Sequence, residues 1–459
     1  MMRNTPIEEL SENVLNTQFE NFDQETLNNA KHRMIDVIGC LIGGACAEGN
    51  RSLTNLVKDW GGKEEASIFI YGGKVPAYHS AMLNSIFARS FDFEALIAVV
   101  EGQNIASHIS GTTVMTSLTL GEMSGITGKE LITAMLVGDD LAVRILASSG
   151  FRISHGWDNT GTVNMIAATA IAGRILELNK KQMRGAFGIV LNQLSGSFQC
   201  IWDATTSFKL HQGMAARNGI FSAQLAKAGW TGPEDMLFGK FGYYRMYTEG
   251  CVNPDILTKD LGKKYYWESV FKPYPCCRAV HPSIDCALAL VRKHDIRVED
   301  IREVLVSVPR EAAESFLGQP FKIGDFPHGN AAFSYRYTIA TALLRKNVTP
   351  EHFLSQSISD PEIDLLIQKI KLVGQKGDPT LQAELMVKMK DGRELSESTV
   401  APKGDPTNPM SREEIIAKFM ANVDFSKTVT RENAKKILSI IDNLEKLDSV
   451  EKLTKLLLP

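Results

Sequence analysis

From residue 7 to about 265, apolar side chains recur every three or four positions, the spacing of one helix face, and frequent Ala and Gly permit close helix packing. Leu27, Met34, Val37, Ile38, Leu41 and Ile42 form the plainest stripe. Thr127 with Glu130, and Asn179 with Gln182, have the spacing of reciprocal N-terminal caps. The pattern predicts roughly ten helices here. After Tyr265 the period falls to two. Val304, Val306 and Val308 alternate in REVLVSVP (302–309), and KIKLVG (369–374) follows a helix opened by Asp360-Pro361. AELMVKMKDGREL carries a turn at Asp391-Gly392 between two strands. Beyond the polar stretch APKGDPTNPM (401–410), Ser411 with Glu414 opens a helix and the helical period returns. The expectation is a mostly α protein: a large all-helical domain formed by the N- and C-terminal segments, 1–266 and 401–459, around a smaller α+β domain of 267–400.

At 459 residues the chain is long enough for two domains. A hydrophobic content of 44% and a charged content of 22% are ordinary for a globular protein, and a net charge of −3 without a basic run excludes a general affinity for nucleic acid or membrane surfaces. Seven cysteines with no CxxC pair point to a reducing, cytoplasmic setting and away from structural zinc. No HExxH, EF-hand, GxGxxG or P-loop pattern occurs, so no metal and no nucleotide cofactor is expected. MMRNTPIEELSENV has no apolar core, and no apolar run of about 18 residues suggests a membrane span.

The chemistry is concentrated in KPYPCCRAVHPSID (272–285). Pro273 and Pro275 hold the chain extended, displaying Lys272, Cys276, Cys277 and Arg278, and Pro282 suits the first turn of a helix with His281 at its N-terminus. The positive end of a helix biases a histidine to the neutral, proton-accepting form. Lys272 and Arg278 are suited to holding an anion. Five further segments carry candidates. SFDFEAL (90–96) places Asp92 and Glu94 two apart, after a helix that begins near Pro76, and SHISG (107–111) sets His108 before a small-residue helix. In HGWDNTGTVN (155–164), Asp158, Asn159, Thr160 and Thr162 crowd a helix entrance, where they either cap it or, with the free backbone N–H groups, receive a carboxylate. TSFKLHQGMAARNG presents Lys209 and His211 before a helix, and AAFSYRYTIA puts Tyr337 in an apolar one, as a proton donor or acceptor. Cations, a neutral histidine, tyrosine and carboxylates without a metal site or nucleophile elbow suit proton chemistry beside a carboxylate.

The ordered set DxxGCxxGG (36–44), FDFE (91–94), GWDNTGT (156–162), FKLHQGMAARNGIFSAQLAKAGWTGP (208–233), KPYPCCRAVH (272–281) and AAFSYRY (331–337) resembles the MmgE/PrpD family over nearly the whole chain. That family includes 2-methylcitrate dehydratase, cis-aconitate decarboxylase and iminodisuccinate epimerase. The resemblance implies a helical domain built from both chain ends, an α+β lid, a homodimer without metal or organic cofactor, and an active site between the domains. It gives Asp92 the place of the first aspartate of a DFDD motif, His108 that of the histidine in HPS, Lys209 that of the active-site lysine, His281 that of the histidine after KPYPxC, and Tyr337 that of the tyrosine in FSxxY. Three departures stand out: DFDD is DFEA here, HPS is HIS and lies sixteen residues after Asp92, and the histidine and proline of GWHPTGT are Asp158 and Asn159.

The family activities all make or quench a carbanion beside a carboxylate, which requires fixed positive charge and donors. Lys209 and Arg278 are expected to supply them, His281 or His108 to take the proton, and Tyr337 or a protonated histidine to assist a leaving hydroxide. Asp158 is expected to act as a base, bind a hydroxyl, or pair with a cationic amino group. The reading is a cofactor-independent lyase on a di- or tricarboxylate, most simply a β-hydroxy-acid dehydratase. Its alternatives are an amino- or imino-dicarboxylate epimerase, a cis-aconitate-type decarboxylase, or a non-catalytic carboxylate binder.

Overall fold

The computed structural model describes residues 5–375 and 382–459. The helix Gln24–Gly44 starts on Asp23, whose carboxylate accepts the Thr26 N–H, and its stripe from Met34 to Ile42 is buried. It packs against Ala77–Arg89, whose last residue belongs to the site described below. Glycine makes the crossing possible: a Cβ on Gly44 would lie 1.9 Å from the Phe87 carbonyl oxygen. Gly44→Ala is therefore expected to cost about 1–3 kcal/mol through forced separation of the helices. Urea unfolding would show this as a lower midpoint with an unchanged slope, whereas an unchanged midpoint would mean that the crossing is soft.

Ser110–Ser124, Gly128–Ala147, Val163–Ile175 and Leu210–Lys227 complete the helical interior. Asn179 and Ser411 act as their spacing predicts, each accepting the N–H three residues on while Gln182 and Glu414 reciprocate; Thr127 accepts the Glu130 N–H, but the Glu130 carboxylate is taken by Arg174 instead of closing the box. Arg412–Ser426 returns to lie on Gln24–Gly44, with Gly39 against Phe419 and Gly43 against Asn422. Its Lys418 reaches Asp36 Oδ1 and the Phe93 carbonyl, both at 2.6 Å, so the C-terminal segment helps hold the loop that carries Asp92 and Glu94.

The stretch 267–400 contains a four-stranded sheet ordered Ile370–Gln375, Ile301–Pro309, Ala383–Met389, Glu394–Thr399. The first pair is parallel and the others antiparallel, with Gly392 at φ +92° in the last turn. Val304, Val306 and Val308 face inward, as their alternation predicts, and His281–Lys293 covers the last two strands. Buried apolar residues form two main clusters. One joins residues 7–271 with 415–457. The other spans 274–389 and takes in Phe91, Phe93, Ile201 and Phe208 from the helical part, marking the seam between them. Among the described residues, no helix is long and apolar enough to cross a membrane.

Two elements depart from the helical pattern: Ala66–Ser67 pairs with Lys74–Val75 in a small antiparallel ladder, and a larger one lies further on. Residues 96–107 form a hairpin, Leu96–Val100 with Gln103–Ser107, and Ser269–Val270 adds a third strand. The run LIAVV is short and β-branched, which favours a strand despite its helical surroundings.

Candidate active site

The hairpin builds the site. Pairing of Ile97 with Ser107 returns the chain to its start, so His108 comes back beside Glu94 although many residues intervene. Pairing of Leu96 with Val270 runs antiparallel, so two residues on from Val270 Lys272 meets the Asp92–Glu94 segment that precedes Leu96. Asn164 Nδ2 then holds the His108 carbonyl at 2.7 Å. Asp92 sits in the left-handed region at φ +48°, which turns its carboxylate inward at the end of Ala77–Arg89.

A buried charge network results. Arg89 Nη1 bonds the Asp92 carboxylate, lies 3.0 Å from Glu94 Oε1 and 2.7 Å from His108 Nδ1. Lys272 Nζ is 2.9 Å from Asp92 Oδ1 and donates to the Asp92 carbonyl at 2.7 Å. Burial alone would raise both carboxyls, but Lys272 and Arg89 draw Asp92 below its ordinary value, and Arg89 and His108 draw Glu94 well below its own. Burial, then Arg89 and Lys272, push His108 downward, so it is neutral. Nδ1 lies 2.7 Å from Arg89, which only donates, and 3.2 Å from Glu94 Oε1, which only accepts; we take the shorter contact to set the tautomer, with Nδ1 the acceptor and the proton on Nε2. His108 thus offers an N–H donor, the electrophilic role of a neutral histidine, rather than the proton acceptor expected from its sequence context.

Asp92, Glu94 and His108 place one ligand atom each within 4.8 Å of one another, a spacing that would suit a metal. Arg89 Nη1 contacts all three and Lys272 holds the first, so two fixed cations already fill the role and would repel a divalent ion.

Lys209 lies beside this network and differs from it. Its Nζ is buried yet meets only neutral oxygens, the Glu48 carbonyl at 2.7 Å and Asn50 Oδ1 at 3.2 Å. Among the described residues no carboxylate is within ion-pairing distance of it, and burial lowers its pKa to about 8. Asn50 Nδ2 donates to Ser90 Oγ at 2.8 Å, which ties Lys209 to the end of the helix bearing Arg89. Several buried polar atoms nearby lack a protein partner: Arg89 Nε, Glu94 Oε2, Thr160 Oγ1 and Gln212 Oε1.

Asp158 is engaged through both carboxylate oxygens by protein groups. One oxygen caps the turn Asn159–Gly161 by accepting the Thr160 N–H at 2.9 Å, and the other lies 3.1 Å from His211 Nδ1. Burial would raise its pKa, but His211 and Arg89 bring it to about 2; burial would lower His211, but the Asp158 bond raises it to about 9. The pair is a buried carboxylate and imidazolium. Asp158, lowered, contributes stability above pH 3.8 that is lost as the pH falls toward 2. His211, raised, contributes stability below pH 6.5 that is lost as the pH climbs through 9. The stability difference between wild type and Asp158→Asn should accordingly be greatest at pH 4–6.5 and shrink on either side; a difference flat from pH 3 to 10 would refute the ion pair.

His281 is fully buried at the start of its helix, its Nε2 3.3 Å from the Cys276 carbonyl and its Nδ1 unpartnered. Burial, Arg278 and Lys272 hold it well below its ordinary pKa. Thr162 Oγ1 donates to the Asn159 carbonyl at 3.3 Å. Two candidates are engaged elsewhere. Arg278 binds the Lys403 carbonyl at 3.2 Å and Asp405 at 3.3 Å. The Tyr337 hydroxyl donates to the His352 carbonyl among lid residues, with Phe321 and Phe353 against its ring.

Two contributors are not marked out by sequence motifs, and a third lies in one that assigns it no role. Arg89 ends a helix just before SFDFEAL and lies outside it. His211 lies within the FKLHQG motif, noted only beside Lys209. His328, in Pro327–Ala332, is buried against Phe91 and Phe326, with Nε2 unpartnered; burial and Lys209 lower it to about 3. The dipeptide Pro327-His328 after Phe326, resembling Pro282 beside His281, is the signal that could have found it.

A buried, charge-balanced network flanked by an unbalanced lysine and neutral histidines lies at the seam of a helical body and an α+β unit. The MmgE/PrpD N-terminal domain model matches residues 8–253 and the MmgE/PrpD C-terminal domain model residues 274–446, so the chain belongs to the MmgE/PrpD family. It is similar to cis-aconitate decarboxylase of Mus musculus, 25% identical over 94% of this chain and 89% of that protein. The Homo sapiens cis-aconitate decarboxylase is 26% identical over 84% of this chain and 80% of its own length, and that of Aspergillus terreus 22% over 96% and 94%.

Proposed function

We propose that the protein is a cofactor-independent lyase acting on a small di- or tricarboxylate. The uncompensated buried charge of Lys209 carries this reading. An unpaired buried cation is costly, and a substrate carboxylate is the simplest group to neutralise it. The second carboxylate, beside the reacting carbon, would accept from His108 Nε2, which with Lys272 and Arg89 stabilises the enediolate as charge develops. His281 and His328, each neutral with one free nitrogen, remain to exchange the proton.

This step is common to decarboxylation and dehydration. Decarboxylation of a cis-aconitate-type acid is favoured by the names of relatives that align along nearly the whole chain. Dehydration needs a donor for departing hydroxide, and Tyr337, expected in that role, is committed to His352. An epimerase would need donors on both faces of the carbon, and Asp158, the group expected to meet a substrate amine, is committed to His211. We include the homodimer and a cytoplasmic location in this reading. Incubation with unsaturated and hydroxylated tricarboxylates, followed by proton NMR and CO₂ capture, tests it: CO₂ with a shortened unsaturated acid is expected, water loss without CO₂ would establish the dehydratase, and inversion alone would overturn the lyase.

A further inference from the structure

A second constellation adjoins the charge network without belonging to it. Cys200 Sγ lies 3.6 Å from His211 Nε2, and His211 Nδ1 lies 3.1 Å from Asp158 Oδ2. The three come from separate elements: the short helix Gln199–Trp202, the first turn of Leu210–Lys227, and the cap of Asn159–Gly161. Backbone bonds fix their spacing. Asp158 N donates to Gly196 O at 2.9 Å, Phe198 N to Gly156 O at 2.8 Å and Ser195 N to Gly161 O at 3.1 Å, so the two segments are stitched together on both sides of Asp158. Only glycine at 161 allows this approach, because a Cβ there would sit 2.0 Å from Ser195 O. The thiol is half-buried, so it remains in reach of a small molecule, whereas His211 is largely covered.

We infer that Cys200, His211 and Asp158 form a nucleophilic thiol relay, a covalent modification site for small soft carbon electrophiles. The order thiol, imidazole, carboxylate, with each ring nitrogen given to one neighbour, is the arrangement that activates a cysteine. His211, already the imidazolium opposite Asp158 at Nδ1, donates its Nε2–H to sulfur and holds the thiolate that forms when the thiol proton leaves to solvent. The thiolate then attacks carbon; with a haloacetyl reagent an S–C bond forms, the C–I bond breaks and iodide leaves, while the proton stays on His211. The charged or titratable groups facing His211 are Asp158 and Cys200, and Arg89 faces Asp158 from behind. The competing partner of the thiol is the Ser197 carbonyl at 3.2 Å, which favours the protonated form. The raised basicity of His211 opposes it.

The test needs no substrate, so it stands apart from the proposed lyase activity. The purified protein is treated with iodoacetamide from pH 5.5 to 9, and the rate at Cys200 is read by peptide mass spectrometry against the same cysteine in the guanidinium-unfolded chain. At pH 6.5 an ordinary thiol is about 1% ionised, so the relay should make native Cys200 about tenfold or more faster than unfolded Cys200, with a rate nearly flat from pH 6 to 8. His211→Gln should remove the advantage and restore a rise near the ordinary thiol pKa of about 8.5. Iodoacetate should gain on iodoacetamide in wild type and lose that gain in His211→Gln. The buried Cys40 and Cys276 report folding in the same digest, since they react only if the variant opens. If the variant unfolds, the wild-type profile decides. A native Cys200 that reacts no faster than its unfolded counterpart at pH 6.5 would overturn the relay.

Discussion

Replacing Arg89 with methionine will destabilise the protein by about 3–5 kcal/mol, the cost of removing one partner from a buried ion network. A single guanidinium nitrogen touches Asp92, Glu94 and His108, and among the described residues it is Glu94's only cationic side-chain contact that does not depend on protonating a histidine. Without it Glu94 loses its largest lowering influence and burial acts on it in the opposite direction, while Asp92 keeps Lys272. The pH dependence should therefore change sign. In wild type, the lowered carboxyls contribute stability above their unfolded pKa values and lose it as the pH falls. In Arg89→Met a raised Glu94 favours the folded state at acid pH, so the variant should approach wild type as the pH drops toward 4. Adding Glu94→Gln should recover part of the loss, and a double-mutant cycle in urea would show coupling of about 1 kcal/mol or more. An Arg89→Met protein within about 1 kcal/mol of wild type at pH 7 would mean that the network does not bear on the fold.

The second large effect is on turnover. His108→Ala should lower kcat by about 100- to 1,000-fold, the usual loss when one donor to a developing oxyanion is removed. Because His108 is assigned a neutral donor, its removal should leave the acidic limb of the pH–rate profile in place. His108→Gln, which keeps an N–H, should retain more activity than His108→Ala. Disappearance of the acidic limb in both variants would identify His108 as the titrating base instead and contradict the tautomer drawn from the Arg89 contact.

Much of the architecture is legible in the sequence because it rests on local signals. Thr127, Asn179 and Ser411 cap helices through groups three residues apart, and Val304, Val306 and Val308 alternate along one strand. The site is only half legible for the opposite reason. Motifs single out Asp92, His108 and Lys272, but what joins them is an antiparallel pairing between Leu96 and Val270, about 170 residues apart, in a stretch whose average texture is helical. Arg89 carries no motif, and its role emerges only when the left-handed turn at Asp92 folds the carboxylate back on it. Asp158 is the harder case. Its sequence neighbours suggest a cap or a ligand, and it is a cap as well as the partner of His211, a residue 53 positions away. Tyr337 and Arg278 show the converse: residue type and motif select them, yet lid contacts with His352 and Asp405 claim their polar groups.

Deuterium incorporation tests the central claim most directly. Wild type, Lys209→Met and Lys272→Met would be incubated in D₂O with a panel of di- and tricarboxylates, and each proton beside a carboxylate followed by NMR. Enzyme-dependent exchange or deuterated product is expected from at least one acid with wild type, with a loss of about 100-fold or more in both lysine variants that remain folded. Exchange unchanged in Lys209→Met, or no exchange and no product from any acid with folded wild-type protein, would contradict a carbanion site organised around these cations.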